Sequence, residues 1–272
     1  AQEAATNTNR SIAGSLEKLS TGLKINKASD DASGLAIADK LRTQVTSINQ
    51  GISNGNSAIA LLQITDKSMA EQSKILDTIK SKLIQANTDT TSTAGRTAIA
   101  KDVTKLLQQL NNIGEQTNYN GTTLLQKART TADASKEGNL TAARTAKGGL
   151  SFQIGEGTAD LITTRTINSN VAGLKLSALA KAVRSGAKVS AGATAGTTGV
   201  FTRTMAQSGQ KAIDKAITTL NGYRGDIGST QNQVETAVRN LMTQATNIKN
   251  AESVIRDVDY AEESANFNKL NI

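Results

Sequence analysis

IDKAITTLNGYRGDIGSTQNQVETAVRNLMTQATNIKNAESVI, residues 213–255, is the stretch that decides the fold. Alternate steps of four and three residues from Ile213 to Ile255 reach ten aliphatic side chains in thirteen positions. A spacing of 3.5 residues held over about six heptads keeps one apolar seam along one side of a continuous helix. At about 1.5 Å per residue this helix extends roughly 64 Å, so it needs long helical partners.

A second apolar seam lies near the start of the chain. Residues 34–84 carry aliphatic side chains at the same spacing over about seven heptads, interrupted by Gly51 and Gly55. Each glycine costs roughly 1 kcal/mol relative to alanine, which a closely packed neighbouring backbone would justify. The predicted bundle seam consists of Leu41, Val45, Ile48, Ile52, Ile59, Leu62, Ile213, Ile217, Leu220, Ile227, Val234, Val238, Leu241, Ile248 and Ile255.

Two shorter helices complete the helical prediction. The first spans residues 1–22 and ends at a Thr-Gly helix stop. The second is indicated by apolar residues at helical spacing: Ile99, Val103, Leu106, Leu110 and Ile113. It is predicted to end at Gly114 or soon after.

The composition excludes several classes of function. Histidine, cysteine, proline and tryptophan are absent, and aromatic residues make up 2% of the chain. Without cysteine there is no disulfide or thiolate metal site, and without histidine the commonest general base and metal ligand are missing. No run of about 18 apolar residues occurs, so no membrane-spanning helix is predicted. Because no catalytic motif is found either, the chain is predicted not to be an enzyme and to use no cofactor or metal.

The middle of the chain differs in charge from both ends. Residues 127–203 hold eleven Lys and Arg against four Asp and Glu, a net charge of +7 out of +8 for the whole chain. A nucleic-acid module usually adds stacking aromatics to its charge, and only Phe152 and Phe201 lie in this window, so nucleic acid is not a predicted partner. The domain prediction is a discontinuous helical core of residues 1–126 and 204–272 with residues 127–203 inserted as a mostly β or irregular lobe.

The inserted lobe contains one strand signal. Residues 150–154 and 161–167 alternate in polarity on either side of Gly155-Glu156-Gly157, which predicts a β-hairpin near residues 150–168. Residues 185–200 are rich in Gly, Ala, Ser and Thr and are predicted to be loop or weak strand.

Two groups of acidic residues are candidates for an acid–base or a cation site. Asp30 and Asp31 could form an acid–base pair, but the favoured interpretation is that Ser29 or Asp30 caps the helix over residues 34–84. The second group fits no ligand loop for a cation and is predicted to face solvent: Asp257, Asp259, Glu262 and Glu263.

Three segments carry the signatures of a known family. Residues 15–38 read SLEKLSTGLKINKASDDASGLAIA, residues 118–125 read NYNGTTLL and residues 257–261 read DVDYA. In this order, and on the helices where they lie, these segments resemble the signatures of bacterial flagellin. The resemblance covers about residues 1–126 and 205–272, and more loosely 150–180.

The resemblance implies a mainly α fold: a long antiparallel helical bundle or coiled coil of N- and C-terminal segments, with a β-hairpin and a small inserted β or irregular lobe. It implies a structural subunit of the bacterial flagellar filament, outside the cell. The implied partners are other flagellin subunits, an export chaperone and the flagellar secretion apparatus. Because the family extends before Ala1 and beyond Ile272, the chain is expected to be a largely monomeric fragment.

One family patch diverges in this chain. The family's immune-receptor patch has an Arg-x-Arg-Glu-Leu pattern, which aligns here with Thr78-Ile79-Lys80-Ser81-Lys82. Only Lys80 keeps the charge of the pattern, and a threonine lacks the bidentate guanidinium of arginine. Since the same surface makes axial subunit contacts in the family, this chain is expected to use different contact pairs at Thr78, Lys80, Ser81 and Lys82.

An alternative function follows from the charge of the middle segment. A cell-surface binding protein could hold an acidic polysaccharide through several cations at once, each exposed pair contributing about 0–1 kcal/mol. The residues predicted for this polyanion binding flank the predicted hairpin and loop: Lys147, Arg165, Lys175, Arg184 and Lys188.

Overall fold

The computed structural model describes residues 1–25, 31–128, 140, 144–190, 192–257 and 260–271. These parts of the chain are dominated by two helices of 55 and 54 residues, which confirms the mainly α fold class. Their helices are α1 (Gln2–Thr21), α2 (Ala32–Ala86), α3 (Thr93–Gln116), α4 (Ser177–Ala187), α5 (Arg203–Arg256) and α6 (Tyr260–Asn271).

In the part of the chain that the structure describes, four short strands form two hairpins. β1 (Asn118–Tyr119) pairs antiparallel with β2 (Thr122–Thr123) across Asn120 and Gly121, whose φ angles of 52° and 84° fit a tight hairpin turn. β3 (Ser151–Gln153) and β4 (Leu161–Thr163) form the second sheet, which confirms the hairpin predicted from the alternating polarity. Its second strand is shorter than predicted, because Ile167 pairs separately with Lys147.

The seam of α2 follows the predicted spacing closely. Its buried positions step alternately by four and three residues over 35 residues: Gly51, Gly55, Ala58, Leu62, Thr65, Met69, Gln72, Leu76, Ile79, Leu83 and Ala86. Gly51 has the closely packed neighbour that would explain a glycine inside the helix. A Cβ there would lie 3.2 Å from the carbonyl oxygen of Ile154 and from Leu241 Cδ1.

None of the fifteen residues predicted for the bundle seam is fully exposed. Nine are buried and six are half-buried, the latter being Leu41, Ile52, Ile59, Ile217, Ile248 and Ile255. Near the start of α5 the buried side chain is Ala216 rather than Ile217. In α3 the buried leucine is Leu107, whereas the predicted Leu106 is half-buried. In both helices the neighbouring predicted positions stay buried, so only the order of the three- and four-residue steps differs.

Helix α4 was missed by the sequence analysis. It ends inside the stretch predicted as loop or weak strand, and it packs against α3. Gly186 makes this contact close, because a Cβ there would lie 2.7 Å from Phe201 Cβ and 3.3 Å from Ala100 Cβ. Leu179 and Val183 do follow helical spacing, but α4 spans only 11 residues and the small residues after it obscured the signal.

The N-terminus of α2 is capped by Asp31. Its Oδ1 accepts a hydrogen bond from the Gly34 N–H at 2.9 Å, which satisfies one of the amide groups that a helix start leaves free. The predicted caps, Ser29 and Asp30, lie outside the residues that the structure describes.

Contacts divide the chain into two compact units, the first made of residues 1–56, 153–161 and 235–272. In this unit α1 packs beside α6. The end of α5 is tied to the chain after α1, since Arg256 Nε donates to the Ile25 carbonyl at 2.9 Å. Arg256 Nη1 also lies 3.6 Å from Asp39 Oδ1.

The second unit contains residues 57–152 and 162–234. Here two ion pairs join α2 to α5, Asp66 with Arg224 (3.0 Å) and Lys80 with Asp214 (2.7 Å). Asn87, directly after α2, bonds to Gln210 on α5 (3.0 Å). Because the residue number rises along α2 as it falls along α5, the two helices run antiparallel in this unit. No helix within the described ranges is both long and apolar enough to cross a bilayer.

Candidate functional site

The patch predicted on α2 presents two hydroxyl residues to solvent. Thr78 and Ser81 are exposed, and Thr78 Oγ1 donates to the Lys74 carbonyl one turn earlier at 3.0 Å. An intrahelical hydrogen bond of this kind uses the only proton of the hydroxyl, so Thr78 faces outward as an acceptor. The outward part of the patch is therefore small, polar and uncharged.

The two lysines of the patch hold neighbouring helices instead. Lys80 Nζ lies 2.7 Å from Asp214 Oδ1 on α5, and Lys82 Nζ lies 3.4 Å from Asp102 Oδ2 on α3. All four side chains are partly exposed, so each pair contributes about 0–1 kcal/mol. The two positive charges of this patch are therefore paired with acids on α5 and α3.

The five cations predicted for polyanion binding lie at three places. Lys147 and Arg165 line one shallow cavity beside the β3–β4 hairpin. Lys175 lines a groove along α5. Arg184 is in the last turn of α4, and Lys188 follows its end. This placement gives no support to one site made by all five residues.

Several arginines of the basic segment are paired with acids from outside it. Arg144 Nη2 lies 2.6 Å from Glu115 Oε1, with side chains that are only 6% and 18% exposed. Two weaker or more exposed pairs are Arg165 with Asp226 (3.9 Å) and Arg203 with Asp89 (3.0 Å). The +7 charge of the window therefore overstates the field that the folded segment presents.

A buried polar cluster, which the sequence analysis did not predict, fixes the loop before α4. The amide cluster, as we call it, consists of Gln72, Asn111, Gln126, Ser169 and Asn170, each at most 4% exposed. It links α2, α3 and the segment after β2 to residues 168–173.

Each side chain of the amide cluster has hydrogen-bond partners. Gln72 Nε2 donates to the carbonyls of Ser169 (2.8 Å) and Leu110 (3.1 Å), and Ser169 Oγ donates back to Gln72 Oε1. Three further bonds hold the cluster: Asn170 Nδ2 to Gln126 Oε1 (2.8 Å), the Gly173 N–H to Asn170 Oδ1 (2.7 Å) and the Val171 N–H to Asn111 Oδ1 (2.8 Å). Buried polar groups satisfied in this way specify one position for the loop.

One signal in the sequence points to this cluster. Gln72 occupies a seam position between Met69 and Leu76, where an aliphatic residue is expected. A polar residue at such a position needs a buried partner. The partner residues themselves cannot be read from the spacing.

The comparisons with known proteins agree with the helical architecture. Residues 1–130 match the family model for the bacterial flagellin N-terminal helical region, and residues 210–272 match that for the C-terminal helical region. The chain is also 30% identical over 275 aligned residues to the flagellar filament 33 kDa core protein of Treponema phagedenis. That alignment covers 100% of this chain and 88% of the relative. The chain belongs to the bacterial flagellin family.

Other flagellins match a smaller part of the chain. Flagellin A of Helicobacter felis is 54% identical over 121 residues, which are 44% of this chain and 24% of that protein. The chain thus matches about a quarter of the length of such relatives. A solved structure from Vibrio parahaemolyticus, described as a flagellar hook-associated protein, is similar in fold with a TM-score of 0.62 at 15% identity. The superposition covers 84% of this chain and 99% of the Vibrio chain.

The amide cluster of this flagellin bridges the matched and unmatched parts. Gln72, Asn111 and Gln126 lie in the range of the N-terminal family model, whereas Ser169 and Asn170 lie between the two models. Part of the intervening segment is therefore fixed to the family helices by buried hydrogen bonds.

Proposed function

We propose that this flagellin is a structural subunit of the bacterial flagellar filament and acts outside the cell. The observation that carries the proposal is the similarity to a flagellar filament core protein across 100% of this chain and 88% of that relative. The physical support is the pair of helices of 55 and 54 residues, which run antiparallel in the second unit. Long helices offer extended faces on which further subunits can pack.

The partners in this proposal are other flagellar subunits, with an export chaperone and secretion apparatus acting beforehand. We place one contact on the face of α2 that includes Thr78, Ser81 and Ile84. All three side chains are exposed, and Ile84 is 49% exposed although it is a large aliphatic residue. Because Lys80 and Lys82 are engaged by Asp214 and Asp102, the contact relies on packing and hydroxyl groups rather than on ion pairs.

Electron microscopy of cells tests the function. Bacteria that lack their own filament protein are supplied with the gene for this protein, and filaments and swimming are recorded. We expect filaments from the parent and from Ser81→Ala, which removes only a hydroxyl. Ser81→Arg should shorten or abolish them, because it inserts a bulky charge into the proposed contact. Secreted, folded parent protein without filaments would refute the function; normal filaments from Ser81→Arg would refute only the contact.

A further inference from the structure

An open groove of about 620 Å³ lies along α5 in the second unit, next to the loop before α4. We call it the α5 groove. Its lining includes Lys175, Asp214, Lys215, Thr218, Thr219 and Tyr223. Because the groove is open to solvent, a ligand that lies in it keeps one face exposed. Filament assembly, as proposed above, assigns it no role.

Lys175 occupies a backbone position that normally requires glycine. Its φ of 58° is in the left-handed region, which side chains with a Cβ rarely adopt. The Lys175 N–H donates to the Ala172 carbonyl at 3.1 Å, and the Leu176 N–H donates to the Val171 carbonyl at 2.8 Å. Glycine is the usual residue at the left-handed position of such a turn. Strained backbone positions cluster at functional sites, and the side chain of Lys175 is exposed to solvent there.

The loop that carries Lys175 is rigidly positioned. Ser169 and Asn170 are fully buried in the amide cluster, and the Gly173 N–H donates to Asn170 Oδ1 at 2.7 Å. A cation on a fixed loop loses less conformational freedom when it binds than one on a mobile loop. Lys175 is therefore presented to the groove in advance of any ligand.

The α5 groove carries positive charge that is available to an anion. Lys175 and Lys215 form no ion pair with any residue that the structure describes. The acid in the groove, Asp214, is held by Lys80 at 2.7 Å, so its charge is already balanced. Two cations without an acidic partner therefore line one cavity, which favours an anionic ligand.

The remaining groups of the groove suit a ligand that also has hydroxyl groups and a ring. The hydroxyls of Thr218 and Thr219 donate to the carbonyls of Asp214 (3.1 Å) and Lys215 (3.0 Å), which leaves their oxygens free as acceptors. Tyr223 adds a half-buried aromatic ring with a polar tip. A simple inorganic anion would use neither the acceptors nor the ring. We propose that the α5 groove binds an acidic sugar, a sugar ring that carries a carboxylate.

Titration of the 272-residue chain with a glucuronate-containing disaccharide tests this proposal. Binding is followed by calorimetry and by NMR shifts of Thr218, Thr219 and Tyr223, at low and at physiological salt. We expect saturable binding that weakens with salt. The same disaccharide with glucose in place of glucuronate, and inorganic phosphate, should bind at least about tenfold more weakly.

Single substitutions locate the site. Lys175→Gln, Lys215→Gln and Tyr223→Leu should each weaken binding, the lysine changes by about tenfold or more. Lys211→Gln is the matched control, because it removes an exposed lysine from the same helix outside the groove, and it should leave the affinity unchanged. Lys175→Gly should raise the melting temperature while it weakens binding about as much as Lys175→Gln, since it removes the strain together with the cation.

Three outcomes would overturn the assignment. The first is no saturable binding of the glucuronate probe at millimolar concentration, and the second is equal binding of the neutral disaccharide or of phosphate. In the third, the lysine substitutions leave sugar affinity intact and instead shorten filaments, which would show that an acidic side chain of a second subunit occupies the groove. None of these outcomes would contradict the proposal that the chain forms filaments.

Discussion

At the scale of single residues, this flagellin is specified by buried polar groups as well as by its aliphatic seam. Gln72 is fully buried on α2, yet its side chain reaches the backbone of α3 and of the loop before α4. Since an unsatisfied buried carbonyl costs about 1–3 kcal/mol, a single side chain can decide where that loop lies.

Gln72→Leu tests this role. The leucine fits an aliphatic seam, but it removes the donor to the buried Ser169 carbonyl and the side-chain bond to the Leu110 carbonyl of α3. We expect a loss of about 2–4 kcal/mol in the free energy of unfolding, measured with urea. Gln85→Leu, at an exposed position of the same helix, is the control and should change it by about 0.5 kcal/mol or less. Equal stability of the two variants would contradict the account.

The diverged patch on α2 gives a second prediction at this scale. The family pattern has charged groups where this chain has Thr78 and Ser81, and an apolar residue where it has Lys82. We expect weak activation of the flagellin-sensing Toll-like receptor in reporter cells. The triple change Thr78→Arg, Ser81→Glu and Lys82→Leu should raise potency, because it restores a bidentate cation, an acid and an apolar contact. High potency of the parent would refute the prediction.

At the scale of elements, the long helices are stable because their seams are dry. Ile227 is 2% exposed and Leu241 is 6% exposed on α5, in different units of the chain. A carboxylate at either place would be taken out of water, and at Ile227 it would lie in the wall of the cavity that Lys147 and Arg165 also line. Each unit therefore offers its own test of the heptad register.

Ile227→Asp and Leu241→Asp should each lower stability by several kcal/mol, as measured by thermal unfolding followed by circular dichroism. Asn232→Asp introduces the same side chain at an exposed position of α5 and should cost about 0.5 kcal/mol or less. Asp259, which the sequence predicts to face solvent, lies outside the described residues and is not used as the control. The heptad register would be wrong if all three variants melted at the parent temperature.

The same elements show what the sequence can and cannot predict. A 3.5-residue period is a property of the sequence itself, so α2 and α5 could be predicted from spacing, and an alternating stretch predicted the hairpin at β3 and β4. Helix α4 could not be separated from its small-residue surroundings, because it is too short for a period to stand out. The α5 groove was missed because Lys175 and Lys215 lie 40 residues apart and on either side of the predicted lobe boundary.

At the scale of the whole molecule, charge opposes the proposed assembly. The chain carries a net charge of +8, so identical subunits repel one another as they approach. This repulsion acts over the screening length, which falls from about 30 Å at 0.01 M salt to about 10 Å at 0.1 M. The contact proposed on α2 relies on packing and hydroxyl groups, which salt weakens little.

Filament growth should therefore accelerate as salt is raised between about 0.01 M and 0.1 M, followed by light scattering on seeded subunits. Lowering the charge should have the same effect as salt. The triple change to glutamine at the exposed lysines Lys181, Lys188 and Lys211 removes three of the +8 charges and should speed growth at low salt. The matched triple change to arginine keeps the charge and should leave the rate near that of the parent. Growth that slows with salt would mean that ion pairs between subunits dominate, and the contact proposed on α2 would then be wrong.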